Sequence, residues 1–232
     1  MASKVIIACR VMQAELDEIR AGDPDIEIVY LDQALHRRPD KMRGLIQEQI
    51  DHYAGHAERI VLGYGLCSNG VVGVNAKGQG LIIPRAHDCI ALLLGSCAAY
   101  NECFAGRPGT YYLSRGWIAE KKDPLGITEE EYTERVGREM AIWAMTRELE
   151  HYTHITLIRT GNVDENLVER ARKNAEFFSK QYSQFDGSMD YFNRIVHGPW
   201  DRDDFLLISP YCTITQDLWF PDNLKDILGM ND

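Results

Sequence analysis

Six cysteines, at positions 9, 67, 89, 97, 103 and 212, are separated by gaps of 58, 22, 8, 6 and 109, and no CxxC pair occurs. That spacing excludes a ribbon or knuckle zinc site, whose ligands come in close pairs. A site gathered from distant loops stays open. Cys9 closes the apolar run KVIIAC, Cys67 closes RIVLGYGLC, and Cys89 follows LIIP within His87-Asp88-Cys89. Each stands where a strand is expected to end, and ligands of open parallel sheets bind beyond the carboxyl ends of the strands. Two or three thiolates with an imidazole suit zinc, and three thiolates suit an iron–sulfur cluster with one open iron. Cys9, Cys67, Cys89 and His87 are therefore the candidate metal ligands. The competing role for any one of them is that of a small buried apolar residue. Cys97 and Cys103, six apart on one expected helix, are assigned to that role.

The densest glycine segment, GYGLCSNGVVGV, runs from Gly63 to Val74. It is not a phosphate loop, because Val71 and Val72 stand where Lys and Ser/Thr are required, and its spacing is not the dinucleotide fingerprint. It is expected to break the strand into free backbone amides where Cys67 emerges, so Gly63, Gly65, Ser68 and Asn69 are candidates to face a bound cofactor. Gly65-Leu66-Cys67-Ser68-Asn69 also compares with a nucleophile elbow carrying cysteine, with the final glycine missing. The alternative function is then a cysteine-nucleophile hydrolase or transferase acting on a small molecule. In it Cys67 or Cys89 attacks and His87 activates, while Asp88 adjoins His87 too closely to orient it in the usual way. The catalytic candidates are Cys67, His87 and Asp88.

Other polar pairs carry less. His52 and His56 have ligand spacing on a helix but no HExxH glutamate, and these two, like His151 and His154, read as solvated helix ends. Arg85, Arg107 and Arg115 flank the expected site loops and suit an anion. Tyr111, Tyr112 and Trp117 read as core and rim packing.

The elements that must position these groups alternate short apolar runs with helices, the pattern of crossover units on a mostly parallel sheet. Strands are expected at KVIIAC, IEIVYLD (buried), RIVLGYGLC, LIIPRAHDC (ending near Pro84), GTYYLSRGW, HITLIRTG and DFLLISP. Helices are expected over VMQAELDEIRAG, DKMRGLIQEQIDHYAG, IALLLGSCAAYNECFAG, TEEEYTERVGREMAIWAMTRELEHY, DENLVERARKNAEFFSKQY and SMDYFNRIVHG. In the fourth of these helices Thr128 is the expected cap, and Val136, Met140, Trp143 and Met145 the expected apolar contacts. The fold class is α/β: a single three-layer Rossmann-like domain over 1–232, with a mostly parallel sheet and two weakly similar halves joined through residues 90–150.

Composition limits the partners. Lys plus Arg is 25 against Asp plus Glu 35, a net charge of −10 over 232 residues, which repels nucleic acid. No apolar run reaches the roughly 18 to 20 residues of a membrane span, and the N-terminal run is too soon charged for a signal peptide. A cytoplasmic protein with reduced cysteines, bound neither to nucleic acid nor to membrane, is expected.

GYGLCSNGVVGV, IPRAHDCIALLLGS and PGTYYLSRGWI, in that order, resemble a prokaryotic family catalogued as domain of unknown function 1638, over most of residues 4–220. The resemblance implies companions of corrinoid-dependent methyltransferases, and hence a corrinoid as a further cofactor and a corrinoid protein or methyltransferase as partner. Its motifs point to Cys67, His87, Asp88 and Cys89, with Tyr112 and Trp117 behind them. Tyr112 thereby joins the cofactor-binding candidates.

Overall fold

A computed structural model describes residues 3–220. The chain opens with β1 (Lys4–Cys9), a short 3-10 turn and α1 (Gln13–Arg20), stopped by Gly22 in the left-handed region at φ +86°. β2 (Ile26–Leu31), α2 (Pro39–Tyr53), β3 (Arg59–Gly63) and β4 (Leu81–Pro84) follow. Next come α3 (Cys89–Leu94), α4 (Cys97–Gly106), β5 (Thr110–Leu113) and α5 (Arg115–Ala119). A composite helical stretch comprises α6 (Pro124–Gly126), a π-helical turn over Ile127–Tyr132, α7 (Thr133–Val136) and α8 (Arg138–Glu148). β6 (His154–Arg159), α9 (Glu165–Phe177), β7 (Gln181–Asp186), α10 (Asp190–His197) and β8 (Phe205–Ile208) complete the described elements.

The fold is mixed α/β and Rossmann-like, with its strands in two sheets. The larger has the order β2-β1-β3-β4-β8, parallel except for antiparallel β8, and the smaller is parallel β5-β6-β7. The chain divides into two compact units. Residues 3–9, 19–89 and 193–220 hold the first sheet, and Arg10–Glu18 with Ile90–Phe192 hold the second. In the first unit Met42, Ile46 and Ile50, spaced by four on α2, form a buried stripe, and Val5–Ala8 and Ile60–Leu62 are fully or almost fully enclosed. In the second, Leu113, Ile155 and Leu157 from the sheet pack with Ala171 and Ala175 of α9.

Several boundaries differ from expectation, each for a local reason. β3 stops at Gly63, so Cys67 lies four residues past the strand. β5 stops at Leu113 because the Ser114 hydroxyl caps α5, accepting from Trp117 N. The helix expected to close at Gly106 is two helices, broken at Gly95 (φ +88°) and restarted by Ser96, whose hydroxyl accepts from Ala99 N. Asp123, not Thr128, opens the composite stretch. The hydroxyls of Thr128 and Thr133 donate to the carbonyls of Pro124 and Thr128 around the widened π turn, and Gly137 (φ +79°) separates α7 from α8. β2 is an edge strand and only partly buried, and β7, unmarked in the sequence reading, is the polar edge of the smaller sheet. Cys97 and Cys103 sit on α4, which buries none of its residues fully. Among the described residues no helix is long and apolar enough to cross a membrane.

Two glycines test this packing in opposite directions. A Cβ on Gly116 would fall 1.6 Å from the Val11 carbonyl oxygen, backbone against backbone, whereas one on Gly44, inside α2, would meet nothing within 4 Å. Chemical denaturation should therefore show Gly44→Ala stabilised by about 0.5–1 kcal/mol and Gly116→Ala destabilised by at least ~1–3 kcal/mol.

Candidate functional site

The carboxyl edge of the first sheet is assembled by its strand exits. After β3 the backbone turns back onto the segment leaving β4: Leu66 N donates to Ala86 O at 2.9 Å and Cys67 N to His87 O at 2.9 Å. Gly65 permits this approach, since a Cβ there would lie 2.5 Å from Ala86 O. Gly63 packs as tightly, with an added Cβ 2.7 Å from that of Ala8, its register partner on β1. These glycines serve close packing, and the amides of Leu66 and Cys67, expected to face a ligand, are already bonded. The Ala86 carbonyl also accepts from Trp219 Nε1 at 3.0 Å.

Cys67, Ser68 and Asn69 all hold left-handed backbone, at φ 45°, 56° and 64°. Three successive non-glycine residues in that region are strained, about 1–2 kcal/mol each, the kind of cost that concentrates at functional sites. Ser68 and Asn69 are exposed, while Cys67 is turned into the interior.

The three predicted thiols are all buried and near enough to act on one another electrostatically. Cys9, Cys67 and Cys89 are buried at 1%, 3% and 7% exposure. Burial first, then Cys9 and Asp88, pushes the Cys67 thiol well up; burial, then Asp88, Cys67 and Cys9, does the same to Cys89. Tyr64 joins them: its ring is fully buried, its hydroxyl has no hydrogen-bond partner, and burial followed by Cys9 and Cys67 holds the phenol well above its ordinary range. His36 lies beside Tyr64 with ring centroids 6.4 Å apart, and burial lowers its pKa, so its imidazole is neutral at neutral pH.

His87 does not join the cluster in the way expected of a ligand. It is exposed, and its ring lies against Phe220 at 5.8 Å, while the acidic neighbour acting on the thiols is Asp88. Tyr112 lies in β5 of the second unit and is buried there, beside the Tyr111–Trp117 and Tyr111–Tyr152 ring contacts. The three arginines are engaged within the chain. Arg85 donates to the Leu218 and Arg202 carbonyls, and Arg107 stands over the Phe185 ring. Arg115 binds Glu15 at 2.9 Å and Glu18 at 2.8 Å.

The donor chemistry suits a soft cation: three thiols and an orphaned buried hydroxyl. Their positions stop short of a coordination set, since among the described residues no three His, Cys, Asp or Glu side chains are grouped as metal ligands. Tyr64 and His36 were missed by sequence reasoning. His36 lies in a short 3-10 helix (Gln33–Arg37) that follows β2, five residues past the strand's end, so only a strand-end rule extended to the following turn and applied to all four parallel strands would have reached it. Tyr64 carried no such signal beyond its place between two glycines.

No curated protein and no solved structure matches this chain. A family model described as a protein of unknown function, DUF1638, matches residues 30–196, which takes in Cys67, His87, Asp88 and Cys89 and leaves out Cys9. With that match covering most of its length, the chain belongs to the DUF1638 family.

Proposed function

We propose that this protein binds a soft transition metal, zinc or iron, or an iron–sulfur cluster, through Cys9, Cys67 and Cys89 at the carboxyl edge of the first sheet. The observation that carries the reading is that three buried thiols from three strand exits act on one another electrostatically, with the partnerless hydroxyl of Tyr64 beside two of them, Cys9 and Cys67. Three thiolates leave a fourth position for a ligand, and a metal there supplies Lewis acidity or electron transfer. The chain's own part is to release the thiol protons as the cation enters, to draw the sulfurs into the coordination set, and to exclude water. Tyr64 keeps its proton and would donate it as a hydrogen bond to one anionic sulfur, that of Cys9 or Cys67. The family resemblance favours a setting in corrinoid-dependent methyl-group metabolism, with a corrinoid protein or methyltransferase as partner and a small molecule at the open position. Thiols held in this way fit the reducing cytoplasm.

The cysteine-nucleophile reading fits less well. It needs a thiolate at neutral pH, yet both candidate thiols are pushed up, and the exposed His87 lies against Phe220. Alkylation of the native, metal-free protein at pH 7 should modify exposed Cys212 readily and spare Cys67 and Cys89 until unfolding. Rapid labelling of Cys67 would restore the nucleophile.

Metal analysis of anaerobically purified protein should find one metal site per chain, and titration of the stripped protein should rebind it. Cys9→Ser, Cys67→Ser and Cys89→Ser should each lower affinity by more than about a hundredfold, with Cys212→Ser unchanged. No metal above trace after anaerobic reconstitution would end the proposal. Tyr64→Phe should weaken metal binding by roughly 10–100-fold while leaving the metal-free fold as stable or slightly more so, because it deletes an unsatisfied buried hydroxyl. Unchanged affinity in that variant would remove Tyr64 from the site.

A further inference from the structure

The composite helical stretch of the second unit buries Leu125, Ile127 and Met145 in a core cluster but leaves other large apolar residues outside it. Val136, Met140 and Trp143, expected to pack inward, are 53%, 52% and 60% exposed, whereas α8 buries only Ala141 and Met145. On α8, Met140, Trp143 and Arg147 follow one another at three and four residues, so they share a face, and that face is opposite the buried one. A tryptophan, a methionine and a valine left in water together are a candidate contact surface.

The charges around this face select its occupant. Glu129, Glu130 and Glu131 are paired with Arg170, Lys121 and Lys122, and beyond them Glu134, Glu139, Glu148 and Glu150 alternate with Arg135, Arg138 and Arg147, a mixed face rather than the Lys/Arg-rich one of a helix lying on an anionic membrane. Along the face itself the order is acidic, apolar, basic: Glu139, then Met140 and Trp143, then Arg147. Such a sequence complements itself only when a second copy lies antiparallel. A two-fold axis near Trp143 then sets each Glu139 toward the other chain's Arg147, and each helix's positive end toward the other's negative end. Glu139 has no ion-pair partner among the described residues, and Arg147 is engaged only by exposed Glu150, three residues on. Neither is committed to the fold.

We propose that this face of α8 is a self-association surface, joining two copies of the chain antiparallel through Met140 and Trp143, with Glu139 and Arg147 pairing across the axis. One helix face covers less than the roughly 1,200–2,000 Å² of a standard interface, so the dimer is weak and concentration-dependent. Aromatic residues centred in such a surface carry most of its affinity.

Sedimentation velocity of the full chain from about 1 to 300 µM should show a monomer–dimer equilibrium. Trp143→Glu should raise the dissociation constant at least about thirtyfold, with an unchanged melting profile. Glu139→Arg and Arg147→Glu should each weaken association severalfold, and the double variant should restore it to within about threefold of the original. Rescue in the double variant is the signature of antiparallel self-pairing. A dimer indifferent to Trp143→Glu, or charge reversals that add instead of cancelling, would overturn the proposal. A chain monomeric at every concentration would overturn it as well. In that case quenching of the emission lost in Trp143→Phe would tell a face open to some other protein from one covered by this chain's own residues.

Discussion

The first unit depends on how closely two strand exits approach at Gly65. The carbonyl of Ala86 and the amide of Asp88 would lie 2.5 Å and 2.9 Å from any Cβ at that position, so no side chain fits. Without one, the amides of Leu66 and Cys67 close on the carbonyls of Ala86 and His87, and the loops after β3 and β4 leave the sheet as a pair. Trp219 Nε1 seals the same Ala86 carbonyl from a third segment. Backbone bonding, rather than any property of the thiols, thus brings Cys67 and Cys89 to one place, and the adjacent β1 supplies Cys9.

What the approach assembles, it also restrains chemically. Two unit negative charges about 5 Å apart at an effective dielectric of about 20 repel by roughly 3 kcal/mol, before either pays for leaving water. Three thiolates beside the Asp88 carboxylate would multiply that cost, so the cluster rests as neutral thiols, and the neighbouring phenol stays protonated for the same reason. A cation reverses the balance, because each sulfur that ionises then gains an attraction larger than the repulsion it adds. The strained left-handed turn at Cys67–Asn69 keeps one sulfur pointed inward while its two neighbours remain in water.

Periodicity made β1, α2, β6 and α9 legible, since each pairs a clean apolar pattern with clear stops. It also put Cys9 at the end of β1, while Cys67 and Cys89 lie four and five residues past β3 and β4, where the loops rather than the strands place them. The division into two units was not legible: the one gap in β-α alternation, between β3 and β4, falls inside the first unit, and pattern does not say which strands pair. β7 was hidden because an edge strand such as QYSQFD needs little apolar surface. Orientation failed on α8, where Met140 and Trp143 obey helical spacing as faithfully on an outer face as core residues would. His87 was favoured for its nearness in sequence to Cys89, yet it lies in the turn between β4 and α3, which leaves its ring exposed against Phe220.

The second unit meets the same problem of buried polar groups differently. At the carboxyl edge of its sheet, Arg115, just after β5, binds Glu15, which is fully enclosed, and Thr160, just after β6, donates to the same carboxylate at 2.6 Å. Such a pair gains little net stability over apolar packing, but losing either partner strands a charge in the interior, so it enforces one arrangement of the segment Arg10–Glu18 against these strand ends. Two of the guanidinium's three nitrogens, Nε and Nη1, are thereby taken by the chain's own glutamates. Of the two parallel edges, this one is closed by charges already neutralised, whereas the other holds groups that become strong donors only when something positive arrives. Cys9 and Cys89, at the thiol edge, are also the residues after which the chain passes from the first unit into the second.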